Sequence, residues 1–249
     1  MADAGYIAIV VASLGAYWWR HLRPARPSLM VSDLFAPDAE VALHVATHEA
    51  TTRTQAMSSV HLLYGLLQDE TVVAAIASAG GNPDALEDRV LAALDAAATT
   101  MEDVGALIDF VAAQAHHATR QATCTDLWAA LRGSSAAKLL DDGGLDRHAV
   151  LFLLFHGHAE PDLALADQRD VLVVLRNDHY TTQTFVCTVL RDVFELRNAE
   201  AETIMRATHT EGRAVVGRFT AVAARSKVAA ARALARAQSF PLWIGVEPT

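Results

Sequence analysis

The sequence predicts an all-α domain followed by an α+β domain, and three patterns support this prediction. From Asp33 to Gly157 the chain is rich in Ala and Leu, its apolar residues recur at helical spacing, and alternating runs of β-branched residues are almost absent. Strand patterns follow only later, as a continuous β-branched and Leu run at Val171–Leu175 and an alternating run at Arg213–Phe219. The short charged stretch Pro161–Asp170 between the two regions is typical of a linker.

The helical region contains a weak internal repeat. The block Ser58–Gln68 (SSVHLLYGLLQ) returns as Thr123–Gly133 (TCTDLWAALRG). The Gly-Gly turn that begins at Gly80 returns at Gly143, at nearly the same interval along the chain. Each copy has a Ser/Thr cap before its second helix and a Gly turn before its last helix. The pattern predicts two four-helix repeats that pack against each other, because neither can bury its apolar faces alone.

This repeat resembles the Clp repeat domain, the N-terminal module of Clp unfoldases. The run His61–Leu67 (HLLYGLL) matches the HLLxGLL block of that family. The second copy departs from the block, with Asp126 in place of the His and Ala130 in place of the Gly. The resemblance implies a Clp repeat domain, with a generic helical bundle as the alternative.

The first 30 residues predict a membrane anchor. The segment Gly5–Trp19 is uncharged and mostly apolar, and three arginines follow it closely. It is shorter than the roughly 20 residues of a spanning helix, so an interfacial helix or a docked soluble helix stays open. The paired tryptophans at its end and the arginines after it favour an anchor that tethers a cytoplasmic body to the inner face of the membrane.

Charge and cysteine content exclude several classes of protein. With 20 basic and 29 acidic residues the net charge is −9, whereas nucleic-acid-binding chains usually show a basic excess. The acidic excess lies in the first part of the chain, because residues 170–249 hold 10 basic and 8 acidic residues. The two cysteines, Cys124 and Cys187, fall in different predicted domains, so neither a disulfide framework nor a zinc knuckle is indicated.

Four stretches of the C-terminal region match, in order, the landmarks of one family. They are Asn177–Val186 (NDHYTTQTFV, against NDDYTPMEFV), His209–Thr220 (HTEGRAVVGRFT, against HYQGKAICGVFT), Arg225–Val228 (against ETKV) and Ala235–Trp243 (ARAQSFPLW, against the closing strand ARENEHPLL). On these landmarks residues 169–249 resemble the ClpS adaptors. The resemblance implies an α+β domain with a three-stranded antiparallel sheet and three helices, which grips the free amino terminus of a protein destined for a Clp-type ATP-dependent protease.

Binding a free amino terminus requires acceptors for an ammonium group and an apolar pocket for the first side chain. Asn177 offers a carbonyl oxygen, Asp178 a carboxylate and His209, when neutral, a ring nitrogen. We place Thr181 in the same subsite. An internal peptide nitrogen carries no charge and at most one N–H, so it would leave buried acceptors unpaired at about 1–3 kcal/mol each. That penalty would provide the specificity.

The resemblance also assigns the side-chain pocket, whose residues come from two helices and the last strand. They are Gln183, Val186, Val189, Met205, Thr208 and Leu242. Where this chain has Gln183, the family has a Met that covers the pocket. The family has Pro where this chain has Thr182, and a second Asp where this chain has His179. These departures predict an altered first-residue preference or a lower affinity.

Docking to the unfoldase is expected at Lys227, which the family shares, and at the neighbouring Arg225. The acidic residue that helps typical adaptors to dock is Val222 in this chain. The docking prediction therefore depends on fewer matched residues than the prediction of the pocket.

An enzyme is disfavoured, because the sequence contains no GxxxxGK[ST] phosphate-binding loop and no GxSxG nucleophile motif. His44 and His48 have the spacing of HExxH without its Glu, so no catalytic residue, metal or cofactor is predicted. The expected organisation is an anchor within residues 1–30, a Clp repeat-like domain at 33–157, a linker at 158–168 and a ClpS-like domain at 169–249.

Two functions remain open. The first is a delivery adaptor that presents N-degron substrates to a Clp AAA+ unfoldase and its protease. The alternative is a non-delivering interaction or decoy protein that regulates the Clp machine through its repeat domain. Both imply the same partners and no nucleic acid, and the predicted anchor would place either function at a membrane.

Overall fold

The computed structural model describes residues 31–96, 104–163 and 170–249. The chain divides into two compact units at Arg147/His148. The predicted anchor at residues 5–19 and the second half of the predicted linker lie outside the described residues.

All the regular elements in the described part of the first unit are helices. Its helices are α1 (Val31–Leu34), α2 (Pro37–Thr52), α3 (Ser59–Leu66), α4 (Glu70–Ser78), α5 (Pro83–Asp95), α6 (Val104–His117), α7 (Cys124–Ala130) and α8 (Ser135–Asp142). Small residues allow α2 and α3 to pack closely, since α2 buries an alanine face. A Cβ on Gly65 of α3 would lie 2.1 Å from the carbonyl oxygen of Ala42. Only glycine therefore permits this crossing.

The two halves of this unit repeat the same cap. Ser58 precedes α3, and its backbone N–H donates to His61 Nδ1 at 3.1 Å. Thr123 precedes α7 in the same way, and its N–H donates to Asp126 Oδ2 at 2.9 Å. Asp126, which departs from the family block, thus performs the capping role of His61, and it also forms a two-bonded ion pair with Arg120.

The backbone of the turns repeats as well. Thr54 and Thr119, at equivalent positions before the two caps, both adopt a left-handed conformation, with φ of 57° and 55°. Gly80 and Gly144 do so in the later turns, with φ of 83° and 71°. The predicted pairing of Gly80 with Gly143 is therefore wrong by one position, because the glycine that each turn needs at positive φ is Gly80 in one copy and Gly144 in the other.

The second unit is an antiparallel sheet with helices. It contains the residues of helix α9 (Arg147–His156) from His148 onward, then β1 (Asp170–Arg176), α10 (Gln183–Asp192), α11 (Asn198–Glu211), β2 (Arg213–Thr220), α12 (Ala221–Ala237) and β3 (Trp243–Pro248). The strand order is β2-β1-β3. The three-stranded antiparallel sheet is as predicted. The stretch expected as the closing strand contributes only its last residue, Trp243, because Ala235–Ala237 complete α12.

The two faces of the sheet pack against different helices. Val171, Val173 and Leu175 alternate along β1 and are buried in a core with residues of α10, α11 and α12. Val174 points to the opposite face, where it packs with Trp243 and with Phe152 of α9. The sequence assigned α9 to the first domain, which was expected to end at residue 157. Helical periodicity predicts the helix but not the unit against which its apolar face packs.

No single helix within the described ranges is long and apolar enough to cross a membrane. Helices α3 and α4 meet the length and composition criteria only as a pair, bent by 91°.

Candidate functional site

The candidate site lies at one end of the sheet. The ladders on both sides of β1 end at Arg176, which pairs with Arg213 of β2 and Trp243 of β3. Asn177 follows directly, and its backbone N–H donates to Gly212 O at 2.9 Å. This bond holds the β1–α10 loop against the C-terminus of α11.

A pocket opens between this loop, α10, α11 and the residue before β3. Its empty space is about 340 Å³, including part of its open mouth. It is lined by Leu175, Arg176, Asn177, Asp178, Thr181, Gln183, Val186, Met205, Thr208, His209 and Leu242. Of the ten pocket residues proposed from the sequence, the structure brings nine together here. The tenth, Val189, is 1% exposed and lies in the core.

Asp178 organises the loop. Its Oδ1 accepts hydrogen bonds from the backbone N–H groups of Tyr180 at 2.9 Å and Thr181 at 2.5 Å. Burial raises the pKa of Asp178 above its usual value, although the hydrogen bonds from Thr181 and Tyr180 oppose this effect. A carboxylate offers about four acceptor positions, and the turn uses two of them. Acceptor capacity and poorly solvated negative charge therefore remain for a cationic ligand.

The other polar residues of the pocket lie beside Asp178 in the lining. Asn177 is partly buried, and His209 is exposed in the last turn of α11. Thr208 is buried, and its hydroxyl donates to Ile204 O at 2.9 Å within the helix. Asn177, the ring of His209 and the Asp178 carboxylate thus line the same opening.

The wall of the pocket is apolar. Val186, Leu242 and Leu175 are buried, and Met205 is partly buried. Gln183 is exposed at the start of α10, where it contributes a polar side chain to the lining. Its position follows from the cap of α10, because the side-chain hydroxyl of Thr182 accepts the N–H of Phe185 at 3.3 Å.

The residues expected to dock the unfoldase are away from the pocket lining. Lys227 Nζ donates to Val193 O at 2.7 Å and to Glu195 Oε1 at 3.0 Å, so it holds the loop after α10. Arg225 Nε donates to Leu163 O at 3.3 Å. Val222 is 79% exposed on the same helix, α12.

Sequence reasoning missed His156, at the end of α9. Its Nε2 lies 2.6 Å from Pro241 O, one residue before the pocket residue Leu242. Burial lowers the pKa of His156, while the neighbouring Asp178 acts in the opposite direction. No sequence signal linked His156 to the site, because its helix was assigned to the other domain.

Among the described residues, one group in the first unit has the geometry to hold a metal ion: Asp38, Asp69 and Cys124. Its groups already have other roles. Asp69 caps α4 by accepting two backbone N–H groups, and Asp38 accepts the N–H of Cys124 at 2.9 Å. Burial and the two carboxylates raise the pKa of the Cys124 thiol, so the protonated thiol is favoured in the metal-free protein.

Comparisons with known proteins converge on the second unit. A family model described as "ATP-dependent Clp protease adaptor protein ClpS" matches residues 166–245. The ATP-dependent Clp protease adapter protein ClpS of Oleidesulfovibrio alaskensis is 42% identical over 83 residues, which are 33% of this chain and 80% of that protein. The protein of the same name from Acetivibrio thermocellus is 43% identical over 76 residues, 30% of this chain and 77% of that protein.

A solved structure, that of Agrobacterium tumefaciens ClpS2 bound to L-phenylalaninamide, is 33% identical and covers 32% of this chain and 98% of that one, with a TM-score of 0.32. The identity to the curated relatives extends over most of their length. Through its C-terminal unit, the chain belongs to the ClpS adaptor family.

Proposed function

We propose that this protein is an adaptor of a Clp-type ATP-dependent protease, which binds the free N-terminal residue of N-degron substrates and delivers them to the unfoldase. The observation that carries the proposal is the convergence of Asn177, Asp178 and His209 on one pocket whose wall is apolar. The names of the curated relatives, Clp protease adapter proteins, support the same class of partner.

The chemistry of the pocket favours an ammonium group over an internal peptide nitrogen. The Asp178 carboxylate is partly shielded from water, so a cation that contacts it replaces solvation that burial has removed. Asn177 can accept a further N–H bond, and so can His209 when its ring is neutral. An acetylated terminus lacks the charge and two of the three protons, so it leaves acceptors unpaired at about 1–3 kcal/mol each.

The first side chain of the substrate would lie against Val186, Met205 and Leu242. A large apolar side chain such as Leu or Phe gains most from this wall, at about 25 cal/mol per Å² of buried apolar surface. Gln183 replaces the Met of the family at the pocket, so we propose a lower affinity or a changed preference among apolar first residues rather than a loss of binding.

The helical unit is proposed to be a Clp repeat domain. Support comes from the equivalent caps at Ser58 and Thr123 and from the equivalent left-handed residues Thr54 and Thr119. Such a module in the same chain as an adaptor supports a second candidate function, a decoy that regulates the Clp machine without delivering substrates. The membrane anchor at residues 5–19 stays a prediction.

Docking to the unfoldase is proposed at the surface around Arg225 and Lys227, with the exposed Val222 in place of an acidic residue. Lys227 is partly committed to Val193 and Glu195. We therefore propose that apolar contact at Val222 contributes more to docking in this chain than in typical adaptors.

Peptide titration tests the binding proposal. The full chain is titrated with peptides that begin with Phe, Leu, Trp or Tyr, each as a free amine and as its N-acetyl derivative. Binding of the free amines alone is expected. Equal affinity for both forms, or no binding of any free amine, would contradict the proposal.

A degradation assay separates the two functions. A reporter with an N-degron is incubated with the Clp unfoldase and protease, with and without the full chain. A delivery adaptor accelerates degradation of the reporter, whereas a decoy leaves it unchanged or slows it.

A further inference from the structure

The pocket residues lie just beyond the ends of the sheet ladders. Asn177 and Asp178 follow Arg176, the last paired residue of β1, and Leu242 precedes Trp243, the first paired residue of β3. Cross-strand hydrogen bonds therefore do not fix Asp178 or Leu242. Contacts with other elements hold the two segments in position, among them the bonds from Asn177 N–H to Gly212 O and from Phe240 N–H to Ala235 O of α12. A binding site works only when its groups are held in this way, so each further contact to these segments matters.

Helix α9 contacts the segment before β3 through two histidines. His148 Nε2 lies 3.0 Å from Phe240 O, and His156 Nε2 lies 2.6 Å from Pro241 O. A carbonyl can only accept, so in each pair the ring nitrogen is the donor. The two carbonyls are consecutive, and they directly precede Leu242, which is 2% exposed.

The same helix contacts the Asp178 loop. The ring of Phe155 lies 5.5 Å from that of Tyr180, and Tyr180 lies 6.1 Å from Phe240. The backbone of Tyr180 donates to Asp178 Oδ1. One helix thus contacts both segments that close the pocket, and aromatic packing joins them.

Helix α9 is itself anchored to the sheet. Phe152 is 1% exposed and packs with Val174 and Trp243. The chain that follows is held by Arg232, whose guanidinium donates to Pro161 O at 2.9 Å and to Ile244 O. The segment His148–His156 of α9 therefore acts as a brace between the sheet and the pocket. This brace precedes the region matched by the family model, which begins at residue 166, so it is an addition to the matched domain.

We propose that helix α9 positions the peptide pocket and that His156 is the positioning residue, through its hydrogen bond to Pro241 O. The proposal rests on the proposed function of the pocket. His156 does not belong to the pocket lining. It acts on the peptide through Leu242 and through the loop that holds Asp178.

The test compares three variants of the full chain. His156→Ala removes the bond and should weaken binding of a Phe-initiated peptide by up to about tenfold, because the peptide must then order the segment before β3 that the bond had held, which costs at most about the free energy of one hydrogen bond. His156→Gln carries an N–H donor at nearly the same distance along the side chain and should restore most of the affinity. His117→Ala is the control, because exposed His117 at the end of α6 belongs to the first unit and none of the contacts described above involves it. It should bind like the wild type.

If His156→Ala weakened binding only by destabilising the fold, His156→Gln could not restore the affinity without also restoring Tm. Thermal unfolding is therefore measured on the same variants, and binding is measured well below the lowest Tm. Unchanged affinity in His156→Ala would overturn the proposal. The proposal would also be overturned if both the Ala and the Gln variants lost affinity in proportion to their decrease in Tm.

A second measurement needs no peptide. In NMR spectra of the peptide-free protein, His156→Ala should shift the amide signals of Asp178 and Leu242, and His117→Ala should leave them in place. Shifts without any peptide binding by the wild type would support the brace while refuting the proposed function. Wild-type binding with no shift and no affinity change would refute only the brace.

Discussion

Replacing Asp178 by Asn separates its charge from its role in the loop. The side chain of Asn keeps an oxygen that can accept the N–H groups of Tyr180 and Thr181, so the turn should persist. The substitution removes the negative charge that faces the ammonium group of a bound peptide, and it replaces the second carboxylate oxygen with an NH2 donor. An Asp178→Ala variant removes both functions and serves as the comparison.

The two substitutions should differ in stability. Because burial raises the pKa of Asp178, its ionised form is disfavoured in the peptide-free fold. Removing that charge in Asp178→Asn should leave Tm unchanged or increase it. Asp178→Ala loses two hydrogen bonds to the backbone and should lower the free energy of unfolding by about 1–3 kcal/mol.

Affinity should fall in both variants. A charge-assisted hydrogen bond is worth about 1.5–3 kcal/mol, which corresponds to roughly 10- to 150-fold in Kd. Calorimetric titration with a Phe-initiated peptide measures this loss, and the N-acetyl peptide should show no difference between wild type and variant. Asp192→Asn, at an exposed aspartate at the end of α10, is the matched control. An Asp178→Asn variant with wild-type affinity, or one that loses stability and affinity together, would refute the reasoning.

Two further predictions concern pH and packing. Peptide affinity should rise as the pH rises through the elevated pKa of Asp178, because only the carboxylate attracts ammonium. The stability of the peptide-free protein should change in the opposite direction. The stabilising contribution of protonated Asp178 is complete below the pKa of the unfolded chain and is lost as the pH rises through the pKa of the folded protein. Titrations at several pH values, with Asp178→Asn as the baseline, measure both trends, and an identical pH profile in the variant would contradict the assignment. Gly65→Ala should lower stability by about 1–3 kcal/mol in thermal unfolding, since its Cβ would meet the backbone of α2. Gly80→Ala, at a φ of 83° with no heavy atom within 4 Å of the added Cβ, should cost only about 1 kcal/mol, and equal losses in the two variants would argue against the close crossing.

The repeated caps were predictable because their signals are local. A Ser or Thr before an apolar helical run indicates an N-cap, and the structure places Ser58 and Thr123 at that position. The register of the Gly turn was misplaced by one position, because two adjacent glycines offer two alignments. Only the backbone shows that Gly144, and not Gly143, adopts the positive φ of Gly80.

The unit to which α9 belongs could not be predicted, because its pattern carries no information about its partner. Apolar residues at helical spacing predict a buried face, and Phe152 is indeed buried. Whether that face meets other helices or the second face of a sheet depends on residues far along the chain, here Val174 and Trp243. The same separation in sequence hid the contact of His156 with Pro241.

The residues that line the pocket were largely predictable from family motifs, whereas the individual residue types would not have sufficed. Asn and Asp after a strand are ordinary turn residues, and Asp178 does accept two backbone N–H groups of its own turn. That structural role does not compete with ligand binding. A fully solvated surface carboxylate gains only about 0–1 kcal/mol from an ion pair, because water screens the attraction. The turn holds Asp178 where burial disfavours its charge, so an arriving ammonium group gains more there than it would at the open surface.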